Sequence, residues 1–268
     1  VGRIETRFSE LNNRGEKAFM PFVTACDPTP EASIAVASAL EKAGADVIEL
    51  GLAYSDPIAD GPVIQDSYSR VLANGFTVAD ALEVVREIRK LSQVPLAAMV
   101  SYSIVWKKGP AQFAADAARA GIDALIIPDL PPEDASDAIA AAEGNGIGVV
   151  FLVTPNTSDK RLGAIVAASR PFIYYVSVVG TTGAREALPP ELSAGVARVK
   201  AMTDKPVVVG FGVSTPEQAR AVSRLADGVI VGSAIVSVVG RCSHGAPDDM
   251  AKAAADFALP LARAVKAR

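Results

Sequence analysis

The stretch Ala43-Gly44-Ala45-Asp46-Val47-Ile48-Glu49-Leu50-Gly51 decides the fold of this chain. It reads as the end of a helix, a glycine stop, a turn through an aspartate and a short apolar strand. Glycine ends a helix at little cost because it adopts the left-handed conformation freely. The same cadence returns in Ala120-Gly121-Ile122-Asp123-Ala124 and in Ala226-Asp227-Gly228-Val229. Working outward, short β-branched apolar runs lie at residues 18–23, 47–50, 96–100, 124–127, 149–152, 172–176, 207–209 and 229–231. They are almost continuously apolar, not alternating, as strands of a parallel sheet covered on both faces must be. Helical segments separate them. Residues 32–43 follow Thr29-Pro30, a cap and a proline at the first helical position. Residues 77–90 carry Val78, Ala81, Leu82, Val85 and Ile88 on one stripe. Ser214-Thr215-Pro216-Glu217 reads as a capping box, and residues 250–267 as a closing helix.

Eight strand–helix alternations predict an α/β chain folded as a (β/α)8 TIM barrel, one domain over residues 1–268. An open doubly wound sheet fits less well, because no Gly-x-Gly-x-x-Gly turn follows the first strand. With half of its 268 residues hydrophobic, the chain can bury a large core. Its net charge of −4 comes without a block of like charges, so no nucleic-acid or membrane partner is expected. No apolar stretch approaches the roughly 18 residues of a membrane span. Residues 1–10 alternate in charge and do not read as a signal peptide. The expected compartment is the cytoplasm, or the chloroplast stroma if a transit peptide has been removed. Cys26 and Cys242 are expected as free thiols, and the single histidine, His244, makes a histidine-ligated metal site improbable. No metal or cofactor is expected.

In a (β/α)8 barrel the active site lies at the C-terminal ends of the strands. Glu49 is an ionisable group in an apolar run at such an end, where desolvation raises a carboxyl pKa and suits it to proton transfer. The loop that follows, Ala53-Tyr54-Ser55-Asp56-Pro57-Ile58-Ala59-Asp60-Gly61-Pro62, brings further carboxylates. Taken alone, Asp56 and Asp60 read as turn and cap residues. Behind Glu49 they allow one buried acid and one ionised stabiliser on a single ligand. Gly210-Phe211-Gly212-Val213 and Gly232-Ser233-Ala234 are glycine turns entering helices, which suit phosphate. Gly180-Thr181-Thr182-Gly183-Ala184-Arg185 reads as a lid or as a plain surface loop. Met20, Met99 and Trp106 read as packing residues, and no lysine stands at a strand end for a Schiff base.

The run from Ile48 to Pro62 resembles the tryptophan synthase alpha subunit family. Phe19-Met20-Pro21-Phe22-Val23-Thr24-Ala25-Cys26-Asp27-Pro28 is similar to its first strand and turn, and the two glycine turns are similar to its phosphate loops. The resemblance implies retro-aldol cleavage of indole-3-glycerol phosphate to indole and glyceraldehyde 3-phosphate. Carried over residue by residue, it implies Glu49 as acid/base and Asp60 as acceptor of the indole N–H. It implies Phe22, Val100, Tyr102, Ile127 and Tyr174 around the indole. Gly183, Phe211, Gly212, Gly232 and Ser233 would hold the phosphate, with Thr182 and Arg185 in the lid. A beta subunit in an alpha2beta2 assembly is the implied partner.

The chain departs from the family at Ala53, where proline is usual, and at Ser101-Tyr102-Ser103-Ile104-Val105, which lacks an asparagine and is one residue shorter. It departs again at Thr181 in the lid. These changes admit a stand-alone lyase that releases free indole. A silent barrel that serves only as an allosteric partner, and another phosphate-binding barrel isomerase, are the readings of other kinds; Glu49 and Asp60 oppose the first and the Tyr54–Pro62 run the second.

Overall fold

The computed structural model describes residues 2–58, 60–177, 190–210 and 212–267. Its strands are β1 (Ala18–Thr24), β2 (Ile48–Gly51), β3 (Leu96–Met99), β4 (Ala124–Ile126), β5 (Gly148–Val150), β6 (Leu152–Val153), β7 (Ile173–Val176), β8 (Val207–Gly210) and β9 (Gly228–Val231). Its α-helices, among the described residues, are α1 (Arg3–Arg14), α2 (Pro30–Lys42), α3 (Pro62–Ala73), α4 (Val78–Leu91), α5 (Tyr102–Lys108), α6 (Pro110–Ala120), α7 (Ser136–Gly144), α8 (Asp159–Ala168), α9 (Pro190–Lys200), α10 (Pro216–Ser223), α11 (Ser233–Arg241) and α12 (Pro247–Lys266). All strand pairs are parallel, in the order β5-β4-β3-β2-β1-β9-β8-β7-β6. The two edge strands are consecutive in the chain and separated only by Phe151. They are one strand with a break, expected as residues 149–152, and through it the sheet curls into the eight-stranded barrel. At the break the Phe151 N–H leaves the ladder and donates to Ser169 Oγ at 3.0 Å.

The apolar runs serve two cores because successive residues face opposite ways. Met20, Phe22, Val47, Ala97, Ile126, Val150, Tyr174, Val208 and Ile230 fill the barrel interior. Phe19, Ile48, Leu50, Leu96, Ala98, Leu125, Val149, Val209 and Val229 pack outward against the helices. Helix α1 plugs the N-terminal mouth: Ile4, Phe8 and Leu11 join the inner core, and the Phe8 and Phe172 rings sit 5.9 Å apart.

The repeated aspartate that marks the helix-to-strand step has a structural cause. Asp46 Oδ2 accepts from Phe19 N at 2.9 Å, Asp123 Oδ2 from Leu96 N at 2.8 Å, and Asp227 Oδ2 from Val207 N at 3.0 Å. In each case the aspartate's own N–H returns a bond to the same residue's carbonyl. The carboxylate thus clamps the start of the preceding strand, where a buried N–H has no ladder partner. Asp46 is 1% exposed and also meets Lys266 at 3.1 Å. Asp46→Ala is expected to lower unfolding free energy by about 2–4 kcal/mol, because it orphans the buried Phe19 N–H and leaves the half-buried Lys266 ammonium with the Gly44 carbonyl but no counter-charge. Urea titration checks this; a loss below about 1 kcal/mol would show that the clamp is incidental.

One cap differs from its sequence reading. The box that opens α10 is Thr215 with Gln218, not Ser214 with Glu217. Gln218 Oε1 accepts from both Ser214 N and Thr215 N, at 2.9 and 3.2 Å, a task the amide does from inside the fold while Glu217 remains on the outer side of the turn. Among the described residues, no helix is long and apolar enough to cross a membrane, and Cys26 and Cys242 are free thiols.

Candidate active site

Glu49 owes its position to strand parity. In the register Phe22↔Glu49↔Ala97 it points into the barrel from β2. It is fully buried, and among the described residues neither carboxyl oxygen has a hydrogen-bond partner. Burial, and next the nearby charge of Asp60, push its pKa up to about 8. The carboxyl is therefore protonated near neutrality and able to donate.

Asp60 lies on the loop between β2 and α3. That loop is tied down by Gln65, whose Nε2 donates to Asp60 O at 2.7 Å and Pro57 O at 3.2 Å. The helix behind it is anchored in turn. Arg70 grips Asp27 with two hydrogen bonds of 2.9 and 2.8 Å, and Ser67 Oγ lies 2.7 Å from Thr24 Oγ1. The Tyr54 hydroxyl donates to Asp60 Oδ2 at 3.1 Å. Burial raises the Asp60 pKa above the usual carboxylate value, and this hydrogen bond opposes the rise. Two carboxylates thus meet in one site with unlike surroundings: one wholly apolar, one hydrogen-bonded and partly open.

Both border a cavity of about 170 Å³ at the C-terminal end of the barrel. Its walls are Phe22, Ile64, Met99, Tyr174 and Ile230, with Gly61, Gly210, Gly212, Gly232 and Ser233 around the rim. Gly210 leaves room for Tyr174, whose ring lies 2.7 Å from where a Cβ would stand. Gly212 has φ +66° and open space beside it, a conformation that favours glycine. Gly232 is the N-cap residue of α11, so the first amides of that helix, at Ser233 and Ala234, open toward the rim without intrahelical acceptors. Apolar walls, two carboxyls and an amide-lined rim together accommodate a flat apolar group joined to an anion.

The structure brings Phe22, Glu49, Asp60, Tyr174, Gly212, Gly232 and Ser233 to this one cavity. It does not bring Val100, Tyr102 or Ile127. Val100 and Ile127 are buried in the outer core, and the inward positions one residue earlier belong to Met99 and Ile126, paired across β3 and β4. Tyr102 opens α5, where its N–H donates to Asp129 Oδ1 at 2.8 Å and its ring meets Trp106 at 6.1 Å. In runs that are apolar at every position nothing in the sequence fixes the parity, and one residue turns a side chain to the other face. Met99 is therefore a wall of the cavity and not plain packing. Trp106 is 67% exposed, also unlike a packing residue. With Ala97 facing inward beside Glu49, the two-residue repeat of a strand turns Met99 inward as well. Thr182, Gly183, Arg185 and Phe211 lie outside the described residues, as does the whole segment 178–189. Among the described residues, no group of three or more His, Cys, Asp or Glu is placed to hold a metal ion.

Comparison with known proteins gives this geometry its context. The family model described as "Tryptophan synthase alpha chain" matches residues 8–266. The tryptophan synthase alpha chain of Citrifermentans bemidjiense is 48% identical over 236 residues, 88% of either chain. That of Geobacter sulfurreducens is 42% identical over 265 residues, 99% of either chain. Among solved structures, tryptophan synthase subunit alpha from Legionella pneumophila superposes with a TM-score of 0.91 at 35% identity, over 99% of this chain and 98% of that one. A chain of Mycobacterium tuberculosis tryptophan synthase gives 0.91 at 35% identity over 100% of both. Matched along nearly its whole length, the chain belongs to the tryptophan synthase alpha chain family, the carbon–carbon lyases that cleave indole-3-glycerol phosphate.

Proposed function

We propose that Glu49 and Asp60 carry out this cleavage in this chain as an acid/base and an electrostatic stabiliser. The observation that supports the division is the unpartnered, fully buried Glu49 carboxyl beside a hydrogen-bonded Asp60. Protonated Glu49 gives its proton to C3 of the indole ring. The ring's own electron pair forms the new C–H bond, and positive charge develops at the ring nitrogen. Asp60 accepts the N–H and stabilises that charge. The Glu49 carboxylate left behind takes the proton of the side-chain hydroxyl next to C3. The carbon–carbon bond breaks, its electron pair returns to the ring, and the hydroxyl becomes the aldehyde of glyceraldehyde 3-phosphate. Phe22, Met99 and Tyr174 flank the ring, while Gly212, Gly232 and Ser233 hold the phosphate on the α11 amides.

The partner in this reading is a beta subunit, as membership of the tryptophan synthase alpha chain family implies. Two of the chain's large exposed apolar side chains support it: Ile58 on the second loop and Trp106 after β3. These are the regions where Ala53 and the shortened Ser101–Val105 segment depart from the family. The decisive experiment is steady-state indole release from indole-3-glycerol phosphate by the purified chain, followed by titration with a beta subunit from the same source. Slow release alone, a strong rise in kcat on titration and competition by inorganic phosphate are expected. No indole under either condition would overturn the lyase assignment, and release that ignores the beta subunit would overturn the partner.

A further inference from the structure

Helix α3 carries a polar group that this reaction scheme leaves unused. Tyr68 is 1% exposed, its ring packs 5.4 Å from that of Tyr54, and among the described residues its hydroxyl has no hydrogen-bond partner. A buried phenol normally finds one, because leaving a donor unpaired is costly. The hydroxyl oxygen sits 2.7 Å from the point where a Cβ on Gly51 would stand. Gly51 is the next inward-facing position after Glu49 on the same strand, with the two Cα atoms about 7 Å apart. The absent side chain at Gly51 thus leaves space that the Phe22 ring and, beside it, the Tyr68 hydroxyl take up in the wall above Glu49. Two orphaned polar groups, a phenol and a carboxyl, share one apolar compartment at neighbouring levels of one strand face.

We propose that Tyr68 is a positioning residue for Glu49, whose hydroxyl donates to the Glu49 carboxylate once that carboxyl has given up its proton. The inference rests on Glu49 being the acid/base. A donor that engages only the ionised form favours that form selectively. It holds the carboxylate in place between giving its proton to the ring and taking one from the hydroxyl. The other titratable groups that face Glu49 are Asp60 on the loop and Tyr174 on β7. Asp60 is an acceptor already engaged by Tyr54, and the Tyr174 hydroxyl lies against Gly210, 2.8 Å from its Cβ position, on the β8 side of the cavity. Tyr68 is the donor above Glu49's own strand.

The test is Tyr68→Phe, which keeps the ring against Tyr54 and removes only the hydroxyl. The pH profile of kcat is measured for the parent and for Tyr68→Phe, with Glu49→Gln alongside. Loss of the donor raises the pKa of Glu49, so the limb that reports it is expected to move up by about one pH unit. kcat is expected to fall about tenfold with KM nearly unchanged, while thermal stability stays level or rises, since an unpaired hydroxyl has been deleted. A limb that stays where it is in the parent overturns the proposal. If Glu49→Gln itself remains active, the fault lies with the acid/base assignment, and the inference falls with it. Should Tyr68→Phe fail to fold, the infrared difference between parent and Glu49→Gln at alkaline pH decides: a hydrogen-bonded carboxylate band supports Tyr68 and a free one overturns it.

Discussion

Glu49→Gln is expected to lower kcat for indole release by about 10²–10⁴, the usual range for loss of a general acid/base, while binding of inorganic phosphate and the fold persist. The amide fills the same volume and reaches the same point in the barrel, but it neither gives nor takes a proton. Its effect on stability has the opposite sign. The Glu49 pKa rises from an ordinary 4.5 to about 8 in the fold, so the folded chain binds a proton that the unfolded chain has lost across that interval. The associated stability is fully present below about pH 4.5 and is lost as pH rises through about 8. Above a pH of about 8 the parent must keep a bare carboxylate in an apolar compartment, and the variant need not. Glu49→Gln is therefore expected to melt higher than the parent at about pH 9 and to match it more closely at about pH 5. A dead enzyme with a stabilised fold marks a residue held at a cost for function. Activity within a few-fold of the parent would remove Glu49 from the mechanism, and a lower melting temperature on the alkaline side would contradict the burial argument.

Most of the barrel was legible because both faces of its strands are covered. Continuous apolar runs of about four to six residues admit few alternatives to a buried parallel sheet, and the glycine–aspartate cadence marked their starts. Glu49 stood out for the same reason, as a lone charge where none is tolerated without a purpose. The positions that lie away from the cavity have a different origin. Val100 and Ile127 against Met99 and Ile126 is a question of parity, and parity depends on the residue at which each strand ends. A run such as Leu96–Val100, apolar at every position, carries no alternation to reveal its inward face. The break at Phe151 was invisible because its N–H goes to the Ser169 hydroxyl, eighteen residues on, a contact that no local preference announces. Tyr68 was hidden as well. On a helix with Ile64 and Val71, an aromatic at that spacing reads as packing, and only the close approach of its hydroxyl to Gly51 shows where it goes. The capping box was displaced by one residue because Ser214 and Thr215 both fit its first position, and their carboxyl or amide partners fit its last.

Asp60→Asn is expected to reduce kcat by about 10²–10³, the range seen when one preorganised stabiliser of developing charge is removed, and to leave KM within a few-fold. The substrate's ring nitrogen is neutral in the ground state, so the amide oxygen of the substituted side chain accepts its N–H nearly as well as a carboxylate does. As C3 takes its proton the nitrogen becomes cationic, and the missing negative charge is then felt. Interactions that strengthen only along the reaction coordinate appear in kcat. The surroundings of Asp60 are suited to that task. Partial burial limits the screening of its charge by water, while the Tyr54 hydroxyl holds one oxygen at 3.1 Å and keeps its pKa from rising further. Because that pKa still lies above the ordinary carboxylate value, parent activity should fall on the acid side as Asp60 protonates, at a pH above that of a free aspartate. Asp60→Asn has no such group to titrate, so its smaller rate should lack this acid limb and keep the limb that belongs to Glu49. A variant whose KM rises while kcat holds would make Asp60 a ground-state contact for the indole N–H. A variant that retains the acid limb would assign that limb to another group.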